Sequence, residues 1–192
     1  MSNPPRILFY FLHLLGVGHI YRAKRLIEGF HRNGMGVDVI YGGMPVADVT
    51  FEADSVHYLS PIRAADNAYS HYLDSTGNHL EKPFQMQRAE EITTIFDGLN
   101  PDLILTEAYP FGRRMVRHEL AALLEAAEQA TLLWQLVTLV TDQQPTSLLE
   151  VHARFWQCET TVHAYLDLVE TVPASKAKVV DVILRATFST FT

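Results

Sequence analysis

The chain has 192 residues, of which 48% are hydrophobic and 19% are charged, as in a globular protein with a buried core. The single cysteine, Cys158, excludes a disulfide framework and a thiolate zinc site and suits a reducing compartment, so we expect a cytoplasmic protein. The formal net charge is -7 and the first apolar run is short. We therefore expect no nucleic-acid partner, no signal peptide and no transmembrane segment, while peripheral contact with a membrane stays open.

The first two-thirds of the chain alternates strand and helix patterns. An apolar run over Ile7–Leu12 predicts a first strand. The helix that follows ends at Asn33-Gly34 and is indicated by apolar residues at helical spacing: Ile20, Ala23, Leu26, Ile27 and Phe30. A second strand is predicted over Val37–Tyr41, and a short third strand over Val56–Leu59 precedes Ser60-Pro61 and a polar loop at 62–79.

The pattern continues beyond this loop. A helix ends at Asn100-Pro101 and is marked by Arg88, Ile92, Ile95, Phe96 and Leu99. A buried strand follows over Asp102–Thr106 and a further helix over about Arg113–Gln129, in which His118 and Glu119 are expected to face solvent or the edge of the domain. Leu132–Val140 fits a strand or a buried helix equally well. The sequence therefore predicts an α/β, Rossmann-like domain over residues 5–140, a parallel sheet flanked by helices, and a mostly helical, poorly matched segment over 141–192.

The most informative segment is Gly16-Val17-Gly18-His19, between the first strand and the first helix. Glycines at 16 and 18 allow positive φ and close approach of the backbone to a ligand, and the helix N-terminus favours an anion such as phosphate. His19 is a candidate acceptor of a proton from a substrate hydroxyl. The alternative is a tight strand-to-helix turn with no ligand. A dinucleotide fingerprint is rejected because Tyr21 occupies the third small-residue position and no acidic residue ends the second strand.

Three loops follow strands whose carboxyl ends should meet at one sheet edge: residues 16–19, 42–45 and 107–114. Glu107 could bind sugar hydroxyls, and Arg113 and Arg114 open a helix, where positive charge is unfavourable unless an anion is near. A helix cap or a surface ion pair with Arg113 is the alternative for Glu107.

Residues 1–35 are locally basic, with Arg6, Arg22, Lys24, Arg25 and Arg32 against Glu28 alone. This charge favours an anionic ligand, and a solvated helix face is the alternative for any one of these residues. No histidine pair has zinc spacing and no Asp-x-Asp occurs. We therefore expect no metal, and a site at His152, Cys158 and His163 is disfavoured.

The segment Gly16-Val17-Gly18-His19 with Arg22, then Gly42-Gly43, then Glu107-Ala108-Tyr109-Pro110-Phe111-Gly112-Arg113-Arg114, resembles the N-terminal half of a group of predicted GT-B fold glycosyltransferases similar to family 28. The resemblance covers residues 5–130. It implies two Rossmann-like domains facing a cleft, the N-terminal one for a hydroxyl acceptor and the C-terminal one for a nucleotide-sugar donor, with no cofactor besides this substrate.

The resemblance also implies roles for single residues. Gly16 and Gly18 would approach the diphosphate or the acceptor, and His19 would be the base. The acceptor and substrate pocket would be formed by Arg22, Gly42, Gly43, Glu107, Arg113 and Arg114.

Beyond residue 131 the sequence departs from the family, and Leu136–Asp142 lacks the family's arginine. The chain is therefore expected to lack its donor domain and to self-associate through an exposed patch at 16–22 and 107–114, and activity of the chain alone stays open. A nucleotide-sugar hydrolase of the same fold, in which water replaces the acceptor, is the alternative enzyme. A non-catalytic interaction module is the third possibility.

Overall fold

The computed structural model describes residues 4–107, 114–129 and 135–138, all within one unit of the chain, Met1–Thr138. Its strands are β1 (Arg6–Phe11), β2 (Gly36–Gly43), β3 (Ser55–Ala64), β4 (Tyr72–Asp74), β5 (Leu103–Glu107) and β6 (Gln135–Thr138). The helices are α1 (Gly18–Arg32), α2 (Lys82–Gly98) and α3 (Arg117–Gln129), and a short 3-10 turn, Arg114–Val116, precedes α3.

The strands of the described residues form one sheet in the order β4-β3-β2-β1-β5-β6. Every neighbouring pair is parallel except β3 and β4. In the central register, Phe9 lies beside Val39 on β2 and Leu105 on β5. The predicted α/β, Rossmann-like fold class is confirmed, and the segment at 132–140 contains a strand. The predicted helical segment 141–192 lies outside the described residues.

The core lies on both faces of this sheet because successive side chains of a strand point to opposite sides. On one face, Leu8 and Tyr10 of β1 and Leu12 directly after it pack with residues of the neighbouring strands and of α2 and α3, among them Ile40, Ile104, Ile92, Phe96, Leu120 and Leu123. The β1 side chains that point to the opposite face of the sheet are equally buried: Ile7, Phe9 and Phe11. The buried side of α1 is the predicted stripe: Ile20, Ala23, Leu26, Ile27 and Phe30.

The third strand is longer than predicted and runs through Pro61. Tyr58 pairs with Tyr41, but the next pair is Ile62 with Gly43, so the β2–β3 ladder is interrupted between them. Pro61 falls in this interruption, where its missing N–H leaves no ladder position unpaired. The prediction that β3 ends before Ser60-Pro61 is therefore wrong.

The predicted loop at 62–79 also contains a strand. β4 pairs with the end of β3 in antiparallel register, and Tyr72 is buried in the core. This short strand has no strong periodicity of its own, so its position depends on the tertiary partner.

A buried ion pair connects α2 to α3. Arg88 donates from Nε and Nη2 to the carboxylate of Glu119 at 2.5 and 2.6 Å, and from Nη1 to the carbonyl oxygens of Gly42 and Ser60. Tyr10 also donates to Glu119. The expectation that Glu119 faces solvent is therefore wrong: the buried guanidinium of Arg88 needs an anionic partner, and Glu119 supplies it.

Candidate functional site

The carboxyl ends of β1, β2 and β5 lie at one edge of the sheet, and three of the predicted site residues meet there. Glu107 is the last residue of β5, and its Oε1 lies 2.9 Å from Nδ1 of His19 and 3.2 Å from Nη1 of Arg22. His19 and Arg22 both lie in the first turns of α1, one helical turn apart. The strand order explains the contact, because β5 is hydrogen-bonded to β1 and α1 follows β1 directly.

Glu107 is the buried member of this cluster. Its side chain is 4% exposed, against 17% for His19 and 37% for Arg22. Oε1 accepts both hydrogen bonds, and the buried Oε2 has no hydrogen-bond partner among the described residues. A carboxylate in this position favours the tautomer of His19 with the proton on Nδ1, which leaves the lone pair on Nε2. Of the alternatives for Glu107, a surface ion pair is excluded by its burial.

The glycines at 16 and 18 do not use the positive φ that a glycine allows. In the part of the chain that the structure describes, positive φ occurs among glycines only at Gly34 and Gly77. α1 begins at Gly18 itself, and its N-cap Val17 lies in the αR region. A Cβ added at either glycine would meet nothing within 4 Å, so the backbone here borders open space. Their predicted ligand contact stays a prediction.

Gly42 and Gly43 end β2, and both are required by close packing. A Cβ at Gly42 would lie 2.7 Å from Nη2 of Arg88, and a Cβ at Gly43 would lie 2.6 Å from the carbonyl oxygen of His13. This packing explains both glycines without a ligand. Their assignment to a substrate pocket stays a prediction.

Sequence reasoning missed a second histidine at this edge, His13, which follows β1 and is buried. Its ring stacks on Tyr41 at an interplanar angle of 11°, and its Nδ1 is hydrogen-bonded to the Tyr41 hydroxyl. That hydroxyl donates to the carbonyl oxygen of Met44 at 2.8 Å, so Nδ1 of His13 is the donor to Tyr41. Burial raises the pKa of Tyr41 well above its usual value, which keeps the hydroxyl protonated. The glycine pair at the end of β2 is the sequence signal for this close contact.

The basic residues of the N-terminal region do not gather at this edge. Arg6, at the start of β1, forms a bidentate ion pair with the buried Asp38 of β2. Arg32 pairs with Glu28 along α1. Hydrogen bonds and the charge of Asp38 raise the pKa of Arg6. Of the predicted basic set, Arg22 is the residue that reaches Glu107.

The arginines predicted after β5 are only partly described. Arg113 lies outside the described residues, and Arg114 begins the 3-10 turn before α3. Three large apolar side chains beside the glycine turn are exposed: Leu15, Val17 and Tyr21. Self-association through them stays a prediction. Among the described helices, none is long and apolar enough to cross a membrane.

No family model and no curated protein matches the sequence. Solved structures with similar folds include SsfS6, a Streptomyces sp. SF2575 glycosyltransferase, which is 18% identical with a TM-score of 0.43 over 69% of this chain and 39% of that one. CalG4, the calicheamicin glycosyltransferase, is 15% identical with a TM-score of 0.43 over 92% of this chain and 46% of that one. The C-terminal domain of the PF1911 hydrogenase from Pyrococcus furiosus is 14% identical with a TM-score of 0.46, over 72% and 94%.

The chain therefore spans less than half the length of these two glycosyltransferases. Two glycosyltransferases and a hydrogenase domain give nearly equal TM-scores, all below 0.5. The likenesses do not distinguish one function from another, and any functional conclusion depends on the site itself.

Proposed function

We propose that this chain is the acceptor-binding half of a GT-B glycosyltransferase similar to family 28, and that His19 is its general base. The observation that carries the proposal is the 2.9 Å contact between Nδ1 of His19 and the buried carboxylate of Glu107. A buried carboxylate behind an imidazole is the arrangement that prepares a histidine to accept a proton. The resemblance of the three loop motifs supplies the reaction class.

Glu107 would act through His19. By accepting the hydrogen bond from Nδ1–H it holds the ring in the tautomer whose lone pair lies on Nε2, the atom that would take the proton of a substrate hydroxyl. When Nε2 takes the hydroxyl proton, the ring becomes an imidazolium, and the negative charge of Glu107 stabilises it. The acceptor oxygen then forms its bond to the anomeric carbon of the sugar, while the bond from that carbon to the nucleoside diphosphate breaks and the diphosphate leaves with the electron pair.

Arg22 would balance the charge of the site. An arginine has five N–H donors, and among the described residues one of those of Arg22 has a protein partner, Oε1 of Glu107. The side chain is 37% exposed, so its remaining donors border solvent at the same edge as the glycine turn. These donors could bind the diphosphate of the donor or an oxygen of the acceptor.

The test uses the purified whole chain with a panel of nucleotide sugars and hydroxyl acceptors, and measures nucleoside diphosphate release, sugar transfer and binding. Transfer to an acceptor supports the proposal. Free sugar released in water without any acceptor would assign the chain to the hydrolases instead. A chain that neither binds nor turns over any nucleotide sugar or acceptor would contradict an enzymatic role for this site.

A further inference from the structure

Two histidines that are eight positions apart in the sequence come together on the segment that contains β4. Leu73 forms an antiparallel bridge with His79, so these two residues share one face of the two-stranded segment. His71 directly precedes β4, its carbonyl oxygen continues the pairing with the β3 side by accepting from the N–H of Ala65, and at two positions before Leu73 it faces the same side. His71 and His79 are thus diagonal cross-strand neighbours, and their rings contact each other with centroids 5.3 Å apart.

This separation suits shared binding of a metal ion. A tetrahedral ion bonded to two imidazole nitrogens at about 2.0–2.1 Å holds the two ring centres roughly 5 Å apart. Both side chains are exposed, so an ion can reach them and water can occupy the other coordination positions. The part of the chain described here contains no group of three or more His, Cys, Asp or Glu side chains able to hold a metal, so this pair would supply two protein ligands only.

The turn between the two strands fixes the spacing of the pair. Oδ1 of Asp74 accepts hydrogen bonds from the backbone N–H groups of Thr76 and Asn78 at 2.8 and 2.9 Å. Gly77 has φ of +91°, which a glycine adopts without strain. A preformed spacing lowers the entropy that two flexible histidines would lose on binding an ion.

The hydrogen bonds around His71 assign its donor nitrogen. The hydroxyl of Ser70 donates to Oδ2 of Asp66, so its oxygen accepts from Nε2–H of His71 at 3.3 Å. In the neutral ring the lone pair then lies on Nδ1. We propose that His71 and His79 together bind one Zn²⁺, Ni²⁺ or Cu²⁺ ion, the divalent ions for which imidazole is a suitable ligand.

This pair lies at the same end of the sheet as the candidate active site. The backbone N–H of Ala65 donates to the carbonyl oxygen of His71 at 2.9 Å, and that of Ala64 donates to the carbonyl oxygen of Leu14, just before the glycine turn. The inference is independent of the proposed glycosyl transfer, since it depends only on the two imidazoles and the register that joins them.

The test is isothermal titration calorimetry of the whole chain, produced without a histidine tag. Zn²⁺ and Ni²⁺ are titrated in separate experiments. His71→Gln and His79→Gln are the two test variants, and His118→Gln, an exposed histidine on α3, is the matched control. We expect each test variant to lose the same equivalent of metal, with at least a tenfold weaker affinity, and the control to bind as the wild type does. Electron paramagnetic resonance of the Cu²⁺ complex of the wild type should show two imidazole nitrogen ligands.

Several results would overturn the inference. These are absence of binding in the wild type, a loss confined to one of the two test variants, an equal loss in His118→Gln, or a single nitrogen ligand in the Cu²⁺ spectrum. In any of these cases the ring contact is an aromatic packing contact without a metal. A Cu²⁺ spectrum of the wild type without two imidazole nitrogens contradicts the inference even if a substitution impairs folding, and the two variants assign the ligands to His71 and His79.

Discussion

Replacing Glu107 by glutamine removes the charge behind His19 while the side chain keeps its shape. Oε1 accepts from two donors, Nδ1 of His19 and Nη1 of Arg22, so the amide should place its carbonyl oxygen there and its NH₂ group at the position of Oε2. The opposite orientation would point the NH₂ group at the guanidinium of Arg22. We therefore expect Glu107→Gln to keep the orientation of His19 and to lose only the negative charge.

The structure gives the size of the effect on stability. Two charge-assisted hydrogen bonds become neutral-acceptor bonds, a loss of about 1 kcal/mol, and the buried NH₂ group has no acceptor among the described residues, which adds about 1–2 kcal/mol. Losing one partner of a buried pair costs about 3–5 kcal/mol when a charge is left buried. Here Arg22 is 37% exposed and can rehydrate. We expect a total loss of about 2–3 kcal/mol in the free energy of unfolding.

The effect on catalysis should exceed the effect on folding. Without the carboxylate the imidazolium of His19 is no longer stabilised. In the enzyme completed with a donor domain, we expect kcat to fall by roughly a hundredfold or more, the scale of a weakened general base. Urea unfolding and sugar transfer would be measured on the same preparations, with Glu28→Gln as the control, because Glu28 pairs with Arg32 on the exposed side of α1. Turnover within threefold of the wild type, with the fold intact, would refute the role assigned to Glu107.

Three further substitutions test the packing and the electrostatics. Gly42→Ala should lower the free energy of unfolding by about 1–3 kcal/mol, measured in urea, because its Cβ would lie 2.7 Å from Nη2 of the buried Arg88; an unchanged stability would contradict this close packing. A Cβ added at Gly16 meets nothing within 4 Å, so Gly16→Ala should change the free energy of unfolding by less than about 0.5 kcal/mol. If a ligand approaches this backbone, the same variant should turn over more slowly, and unfolding and activity measured on one preparation would show both results. The pKa of Asp54 is lowered from its ordinary value of 3.8, chiefly by a hydrogen bond from the backbone N–H of Val37, so the ionised carboxylate stabilises the fold above pH 3.8 and this stabilisation is lost as pH falls through the lowered pKa. Asp54→Asn should therefore flatten the dependence of the free energy of unfolding on pH in this acidic range, and an unchanged slope would contradict this assignment.

The sequence predicts the fold well where a pattern is long and local. β1, α1, β2 and β5 follow from apolar runs and helical periodicity, and Asn33-Gly34 ends α1 with Gly34 at a φ of +72°. β4 has three residues, and Pro61 lies inside β3. Both depend on a partner strand whose register is a property of the folded chain.

The sequence indicates which loops form the site, but it does not indicate which side chains within the site contact one another. His19 and Glu107 are 88 positions apart, and their contact follows from the adjacency of β1 and β5 rather than from any local pattern. Glu119 is a residue whose burial the sequence does not reveal. Its position on α3 suggests a solvent-facing residue, and only the buried Arg88 on another helix shows otherwise.

The central claim is that His19 takes a proton from a hydroxyl acceptor in this site. The most direct measurement is the rate of sugar transfer by His19→Ala in the enzyme completed with a donor domain, with His31→Ala in the same enzyme as the control. His31 lies at the other end of α1 and also contacts a carboxylate, Oδ2 of Asp54, at 3.2 Å. The account predicts that His19→Ala lowers kcat by roughly a hundredfold or more while His31→Ala stays near the wild-type rate. Equal rates in the two variants, with both chains folded, would contradict it.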